Sequence, residues 1–126
     1  AYHDIQDPNA FNGLVSYYCY KYGKEWLDGF TNTIYENYLY FKEEMKDYCD
    51  MPELEGSYLI FPDFSKSIKE ANVAEVLEKE CNILVNSGVS FSKDYGSYVR
   101  VNLATSLVNI KEAVTRIKTY IDERRA

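Results

Sequence analysis

Apolar residues recur along the chain with two different periods. Phe11, Leu14, Val15, Tyr18, Cys19 and Tyr22 follow the i, i+3, i+4, i+7 rhythm of an amphipathic helix, which Gly23 interrupts. Ahead of it, Asp4 to Asn9 with Pro8 reads as a turn leading into that helix. A second helix continues through Trp26 or Leu27, Phe30, Ile34, Tyr38, Phe41, Met45 and Tyr48, with Glu36, Lys42, Glu43, Glu44, Lys46 and Asp47 on its outer face. A helix of that length overhangs a small body unless another element packs beside it. Asp50, Pro52 and Gly56 end it and open a turn.

Past Gly56 the pattern shortens. Ser57 to Phe61 predicts a strand, with Pro62 placing its end at an edge or exit. Ser67 with Glu70, or Asn72 with Glu75, has the spacing of a helix-capping box. Val73, Val76, Leu77, Glu80 and Cys81 return to helical spacing, and Ile83 to Val85 predicts a short strand running into Gly88. Ser87 to Gly96 is mostly polar, with Phe91 inside it, and reads as a loop. Tyr98 to Leu103 alternates Val99, Val101 and Leu103 against Tyr98, Arg100 and Asn102, the period of a half-buried strand. A last helix from about Leu107 carries Leu107, Ile110, Val114, Ile117 and Ile121 on one face and ends in Arg124 and Arg125, suited to a helix carboxyl end. This order predicts a two-layer α/β (α+β) fold: a small mixed sheet of about three to four strands, with helices packed on one face and a long helix ahead of it. No linker or repeat divides the chain, so residues 1–126 are expected to form one domain.

Thirteen tyrosines and six phenylalanines exceed what a core of this size usually consumes. Either part of that aromatic surface faces a partner, or the coding background favours tyrosine. Tyr17, Tyr18, Tyr20 and Tyr22 surround their helix instead of lining one face, which suits a segment between two domains. The net charge of −6 comes with scattered Lys and Arg and no basic stripe, which excludes a nucleic-acid partner. No apolar run approaches a membrane span, and the amino terminus has neither a basic n-region nor an apolar h-region.

Cys19, Cys49 and Cys81 are odd in number and widely spaced, matching neither a disulfide framework nor a zinc site. They are expected to be three buried or half-buried thiols in a reducing, cytoplasmic compartment. His3 is the only histidine, so neither a His-based metal cluster nor a Ser-His-Asp triad is available. Asp47, Asp50, Glu53 and Glu55 gather around one turn at a spacing that fits no calcium loop, and read as a solvated acidic turn.

Four blocks resemble the carboxy-terminal small domain of the fold-type-I, pyridoxal-phosphate-dependent class I/II aminotransferases, nearest the cystathionine-β-lyase-like (C–S lyase) branch. Asp7-Pro8-Asn9-Ala10-Phe11, then Tyr22-Gly23 and Glu25-Trp26-Leu27, is similar to the family's NxFG…AAYxxGxxWL passage. The run from Glu55 to Phe64 resembles EGTYLLWLDF, with Phe61 in place of Trp and Pro62 in place of an aliphatic residue. Gly88-Val89-Ser90-Phe91 resembles PGxxFG. Tyr98 to Ala104 resembles FIRLNIA, followed by Glu112-Ala113 and Arg116-Ile117 in place of EALERI. In the first block Asn12 precedes Gly13 where the family runs Phe-Gly directly.

The resemblance implies that Arg100 binds the α-carboxylate of an amino-acid substrate, because a guanidinium fork matches two carboxylate oxygens and stays charged. Read without it, Arg100 is a solvated or salt-bridged strand arginine. Tyr58 and Phe61 fall on the strand that borders the family's substrate entrance, with core packing as the alternative. Asn102 shares the Arg100 face as a further substrate-binding candidate, or simply satisfies nearby backbone groups. Phe91 reads as a loop anchor. The implied cofactor is pyridoxal 5'-phosphate in a full-length enzyme, held by a large domain of the same chain in a homodimer. In the family the Schiff-base lysine and the phosphate cradle lie in the large domain, and no Gly-rich phosphate loop is present here, so the chain alone is expected to bind no cofactor and to be inactive. The implied function is the small domain of an aminotransferase or C–S β-lyase, closing over the substrate. The alternative is a non-catalytic interaction module that retains the fold.

Overall fold

Asn9 opens the first helix: its side-chain Oδ1 accepts a 2.8 Å hydrogen bond from the Asn12 N–H, and α1 runs Ala10–Tyr22. The structure, a computed structural model, describes residues 9–125; His3 and most of the turn expected from Asp4 to Asn9 lie outside the described residues. Gly23 ends α1 by returning its N–H to the Cys19 carbonyl at 2.8 Å, and a Cβ there would stand 2.4 Å from that oxygen. The chain divides into two compact units, Ala1–Asn32 and Thr33–Ala126; α2 (Lys24–Met45) begins in the first and continues in the second.

In the first unit α1 buries no residue. Its tyrosines pack along the helix surface, with Tyr18 stacked on Tyr22, and Trp26 stacks on Phe30 one turn on. Even so, Tyr20 is 94 % and Trp26 70 % exposed.

The second unit holds the core. From α2 it takes Ile34, Tyr38, Phe41 and Met45, the i, i+4, i+7 face that the sequence periodicity marks. Each such side chain taken from water contributes roughly 1.5–3 kcal/mol before entropy is counted. Tyr48 lies past the end of α2, because the Met45 carbonyl accepts both the Tyr48 and Cys49 N–H groups at 2.9 Å and turns the chain. β1 (Leu59–Ile60), α3 (Val73–Cys81), β2 (Asn86–Ser87), β3 (Val99–Asn102) and α4 (Leu107–Arg125) follow. α4 buries Ile110, Val114, Ile117, Tyr120 and Ile121. β3 lies between the other two strands, Leu59 opposite Asn102 on one side and Asn86 opposite Arg100 on the other. Both pairings are antiparallel, so among the described residues the expected three- to four-stranded sheet has three strands and no parallel pair.

One strand is displaced from its expected place. Ile83 to Val85 precedes β2 without joining it, and Leu84 is 83 % exposed. Asn82 takes a left-handed conformation (φ 53°), and the Ile83 N–H returns to the Leu77 carbonyl at 3.0 Å. The carboxyl cap of α3 therefore consumes these residues, and the chain reaches β3 only at Asn86. β1 is an edge strand, as Pro62 suggests; beyond it the Pro62 carbonyl still accepts the Val99 N–H at 3.3 Å, and Asp63 exchanges two 2.8 Å backbone bonds with Asp50. Neither expected capping box closes. The Asn72 side chain makes no cap bond and instead donates to Glu75, while Ser67 Oγ accepts from Arg125.

Asn37, fully buried on α2, escaped the periodicity reading. Its Nδ2 donates to the Leu103 carbonyl at 2.9 Å and the Thr105 carbonyl at 2.8 Å, tying α2 to the end of β3. Cys49 and Cys81 are buried and free, whereas Cys19 is free but exposed, contrary to the expectation of three sheltered thiols. The α1 face that carries Cys19 buries nothing in the first unit, so the thiol stays in contact with solvent. Among the described residues no helix is long and apolar enough to cross a membrane, and no group of three or more His, Cys, Asp or Glu side chains is arranged to hold a metal ion.

Candidate functional site

The β2–β3 hairpin sets the position of Arg100. Val99 and Leu103 are fully buried, so alternation along β3 turns Arg100 and Asn102 to the other face. The polypeptide between the strands folds back in a 3₁₀ turn over Gly88–Ser90, where the Gly88 N–H donates to the Tyr98 carbonyl at 2.9 Å. A Cβ on Gly88 would lie 2.2 Å from the Tyr95 carbonyl oxygen and 2.6 Å from that of Tyr98, so only glycine lets the hairpin close this tightly. The turn delivers Phe91, whose ring lies 5.3 Å from the centre of the Arg100 guanidinium, within cation–π range.

Arg100 lines a cavity of about 330 Å³ with Leu59, Ile60, Phe61, Phe91 and Tyr95. Phe61 organises the aromatic wall: it stacks on Tyr98 at 5.3 Å and meets Phe91 and Tyr95 edge-on at 5.6 and 5.9 Å. Arg100 is the only charged residue among the lining. Its Nη2 donates to Asn86 Oδ1 at 3.0 Å, and its Nε is buried with no hydrogen-bond partner among the described residues. The other arginines are engaged differently. Arg116 pairs with Glu112, Arg124 with Glu80, and Arg125 donates to the Asp47 carbonyl and Ser67. Among the described residues, then, Arg100 has no carboxylate partner and carries an unsatisfied donor beside an apolar hollow. That arrangement suits an oxyanion attached to an apolar body.

The other expected site residues stand apart from the cavity. Tyr58 is 42 % exposed and does not line it, although its backbone carbonyl accepts the Leu103 N–H at 2.8 Å. The Asn102 Oδ1 accepts the Ala104 N–H at 2.8 Å, a local turn bond of the kind the sequence left open. Phe61, placed on the same strand by the sequence, is at the cavity wall. Phe91 anchors the loop and also underlies Arg100. Tyr95 and Asn86 were missed; the cross-strand register that pairs Asn86 with Arg100 is the signal that finds the latter, and it follows only once β2 is correctly placed.

The lysines serve the surface. Lys24, Lys42, Lys46, Lys66, Lys79 and Lys118 each pair with a carboxylate, and Lys93 is exposed. Hydrogen bonds to Glu53, Glu43, Glu44 and Tyr17 hold Lys42, Lys46, Lys118 and Lys21 above the ordinary lysine range. An amine that attacks a carbonyl needs the opposite shift. The acidic turn is neutralised locally, with Asp50 on Lys66 and Glu53 on Lys42 and the Tyr38 hydroxyl. Asp63 is partly desolvated, which opposes its charge. Hydrogen bonds from Ser97, Ser65 and Tyr98 outweigh that and hold its carboxyl below the usual range.

No protein-family profile matches the chain. A (5-formylfuran-3-yl)methyl phosphate transaminase of Methanocaldococcus jannaschii is 32% identical over 68 residues, which is 54% of this chain and 18% of that protein. Among solved structures, cystalysin from Treponema denticola, which contains a pyridoxal 5'-phosphate cofactor, superposes with a TM-score of 0.76 at 26% identity over 83% of this chain and 28% of its own. A PLP-bound Clostridium difficile protein assigned as an aminotransferase gives 0.75 at 28% identity, over 90% of this chain and 30% of its own. The chain thus spans less than a third of each relative. In sequence and fold the chain is similar to one part of pyridoxal-phosphate-dependent aminotransferases and C–S lyases, the family that its four sequence blocks resemble.

Proposed function

We propose that this chain is the carboxy-terminal small domain of a pyridoxal-phosphate-dependent aminotransferase or C–S β-lyase, and that Arg100 binds the α-carboxylate of its amino-acid substrate. The observation that carries the reading is the state of Arg100: no carboxylate partner among the described residues, a buried and unpartnered Nε, and an apolar cavity alongside. A buried donor left unmade is costly, so a carboxylate that completes it binds with more than its Coulombic attraction. The phenyl face of Phe91 removes water from one side of the guanidinium, and Phe61 and Tyr95 offer an apolar wall to the rest of the ligand. Tyr58 and Asn102 belong at the rim of the same strand pair. In this reading the domain orients the substrate by its carboxylate and excludes water as it closes.

The described residues do not themselves fit pyridoxal phosphate: no lysine lines the cavity, and the lysines with displaced titration are held more firmly protonated. The cofactor, which supplies an electron sink for chemistry at the amino acid's α-carbon, is assigned to a large domain of the same polypeptide. A homodimer and a cytoplasmic location complete the proposal. One observation favours the alternative of an interaction module, the exposed aromatic surface of the first unit. A large domain accounts for that surface equally well.

The test is a titration of the chain with 3-phenylpropionate, a carboxylate on an apolar body, followed by the ¹H–¹⁵N resonance of Arg100 Nε. A saturable displacement that disappears in Arg100→Ala supports the reading. A resonance that stays put at saturating ligand refutes it.

A further inference from the structure

Asn86 and Arg100 face each other across the β2–β3 ladder, and the Asn86 side chain is the hydrogen-bond acceptor of the Arg100 guanidinium. The chemistry of that acceptor is informative. A neutral amide oxygen fixes one Nη group at 3.0 Å but brings no counter-charge, so the cation's charge stays uncompensated. An aspartate of nearly the same shape would make a shorter, charge-assisted bond and cancel the charge. The two other arginines that reach side-chain acceptors within their own turn or across to α3 use carboxylates, Glu112 for Arg116 and Glu80 for Arg124. Phe91 completes the mounting by covering a face of the guanidinium without competing for its donors.

We infer that Asn86 is a positioning residue for Arg100, a deliberately neutral partner that sets the orientation of the guanidinium fork while leaving its charge and its buried Nε–H for the ligand's carboxylate. The inference rests on the carboxylate reading above and adds to it a requirement on the residue opposite. Two consequences separate this role from a purely structural one. Removing the side chain frees the fork to rotate, so carboxylate binding weakens while the exposed strand edge scarcely notices. Replacing it with aspartate strengthens the native cross-strand pair, so stability holds or rises while carboxylate binding falls further, because the fork is already occupied by an anion. A structural hydrogen bond predicts that binding and stability move together.

The experiment measures Kd for 3-phenylpropionate and Tm in the wild-type chain, Asn86→Ala, Asn86→Asp and Arg100→Ala. Asn86→Ala is expected to weaken binding about three- to tenfold, the worth of one orienting hydrogen bond. Asn86→Asp is expected to weaken it by more than about tenfold with a Tm at or above that of wild type. If Asn86→Asp binds the carboxylate as tightly as wild type, or if both Asn86 variants stay within about twofold of it while Arg100→Ala abolishes binding, Asn86 has no positioning role and the carboxylate reading survives alone. If Arg100→Ala binds like wild type, the carboxylate reading itself fails and takes the inference with it.

Discussion

The side-chain oxygen of Asn86 accepts a 3.0 Å hydrogen bond from Arg100 across the β2–β3 ladder, and the Nε of the same arginine is left buried without a partner. The hairpin that joins these residues closes over Gly88 and brings Phe91 against the guanidinium. A cation is thus held in place by a neutral amide and an aromatic ring, beside a cavity whose other walls are apolar.

Asn37 is the polar residue on which the second unit depends. Its amide nitrogen satisfies the Leu103 and Thr105 carbonyls where β3 ends. Asn37→Ala removes both bonds in a buried setting and opens a small cavity, with an expected loss of about 2–4 kcal/mol in chemical denaturation. A loss below about 0.5 kcal/mol, the range of a neutral surface substitution, contradicts the role assigned to it.

The cysteines are expected to react at two rates. Burial pushes the Cys49 thiol up to about 12 and raises Cys81 as well, while Cys19 is exposed. An alkylating reagent at neutral pH modifies Cys19 quickly and the other two only as the fold opens; in denaturant without reductant all three react. Rapid modification of Cys49 in the native chain, or fewer than three thiols in denaturant, is the contrary result.

Asp63 predicts an acid-side loss of stability. Its carboxyl is held below the ordinary range in the folded chain, so the unfolded chain takes up its proton first as pH falls. The contribution is complete above the unfolded value of about 3.9 and is lost as pH drops from there through the lower folded value. Asp63→Asn is therefore expected to lower Tm at neutral pH and to flatten its decline in that acid window. Parallel Tm curves for the two proteins across it contradict the assignment.

The first unit presents Phe11, Tyr20, Tyr22 and Trp26 to solvent. A surface of this kind binds hydrophobic dyes and drives association. Light scattering at rising concentration is expected to show mass above that of the 14.7 kDa chain, with Trp26 fluorescence shifting to the blue in step. A strict monomer that binds no dye and has concentration-independent emission contradicts it.

Helices α1, α3 and α4 were legible from periodicity nearly to the residue, because each apolar stripe is unbroken and its ends carry Asn9, Gly23, Asn72 or paired arginines. β3 was legible because Val99, Val101 and Leu103 alternate cleanly. The second strand was not: Ile83 to Val85 is the more apolar segment, but the left-handed turn at Asn82 is a tertiary choice that local hydrophobicity does not encode. The site divides the same way. Arg100 stands out through alternation together with the family resemblance, and Phe61 through its strand. Asn86 falls between the expected strand and the expected loop and Tyr95 inside that loop, and their roles depend on register and on the Gly88 turn. Asn37 sits among apolar neighbours in the helical stripe, where its two carbonyl partners, 66 and 68 residues away in sequence, are invisible to periodicity.

The central claim is that Arg100 captures a substrate carboxylate, and it is tested most directly by comparing two substrates across three enzymes. In the full-length enzyme, kcat/KM is measured for an amino acid and for the corresponding amine without its carboxylate, in wild type, Arg100→Ala and Arg100→Lys. Arg100→Ala is expected to lower kcat/KM for the amino acid by about 30- to 1000-fold, the equivalent of losing 2–4 kcal/mol of paired hydrogen bonds, with cofactor absorbance unchanged. Arg100→Lys recovers only part of that loss, because an ammonium cannot reproduce the planar fork, and the amine is turned over almost equally by all three. Equal kcat/KM for the amino acid in wild type and a folded Arg100→Ala enzyme contradicts the account.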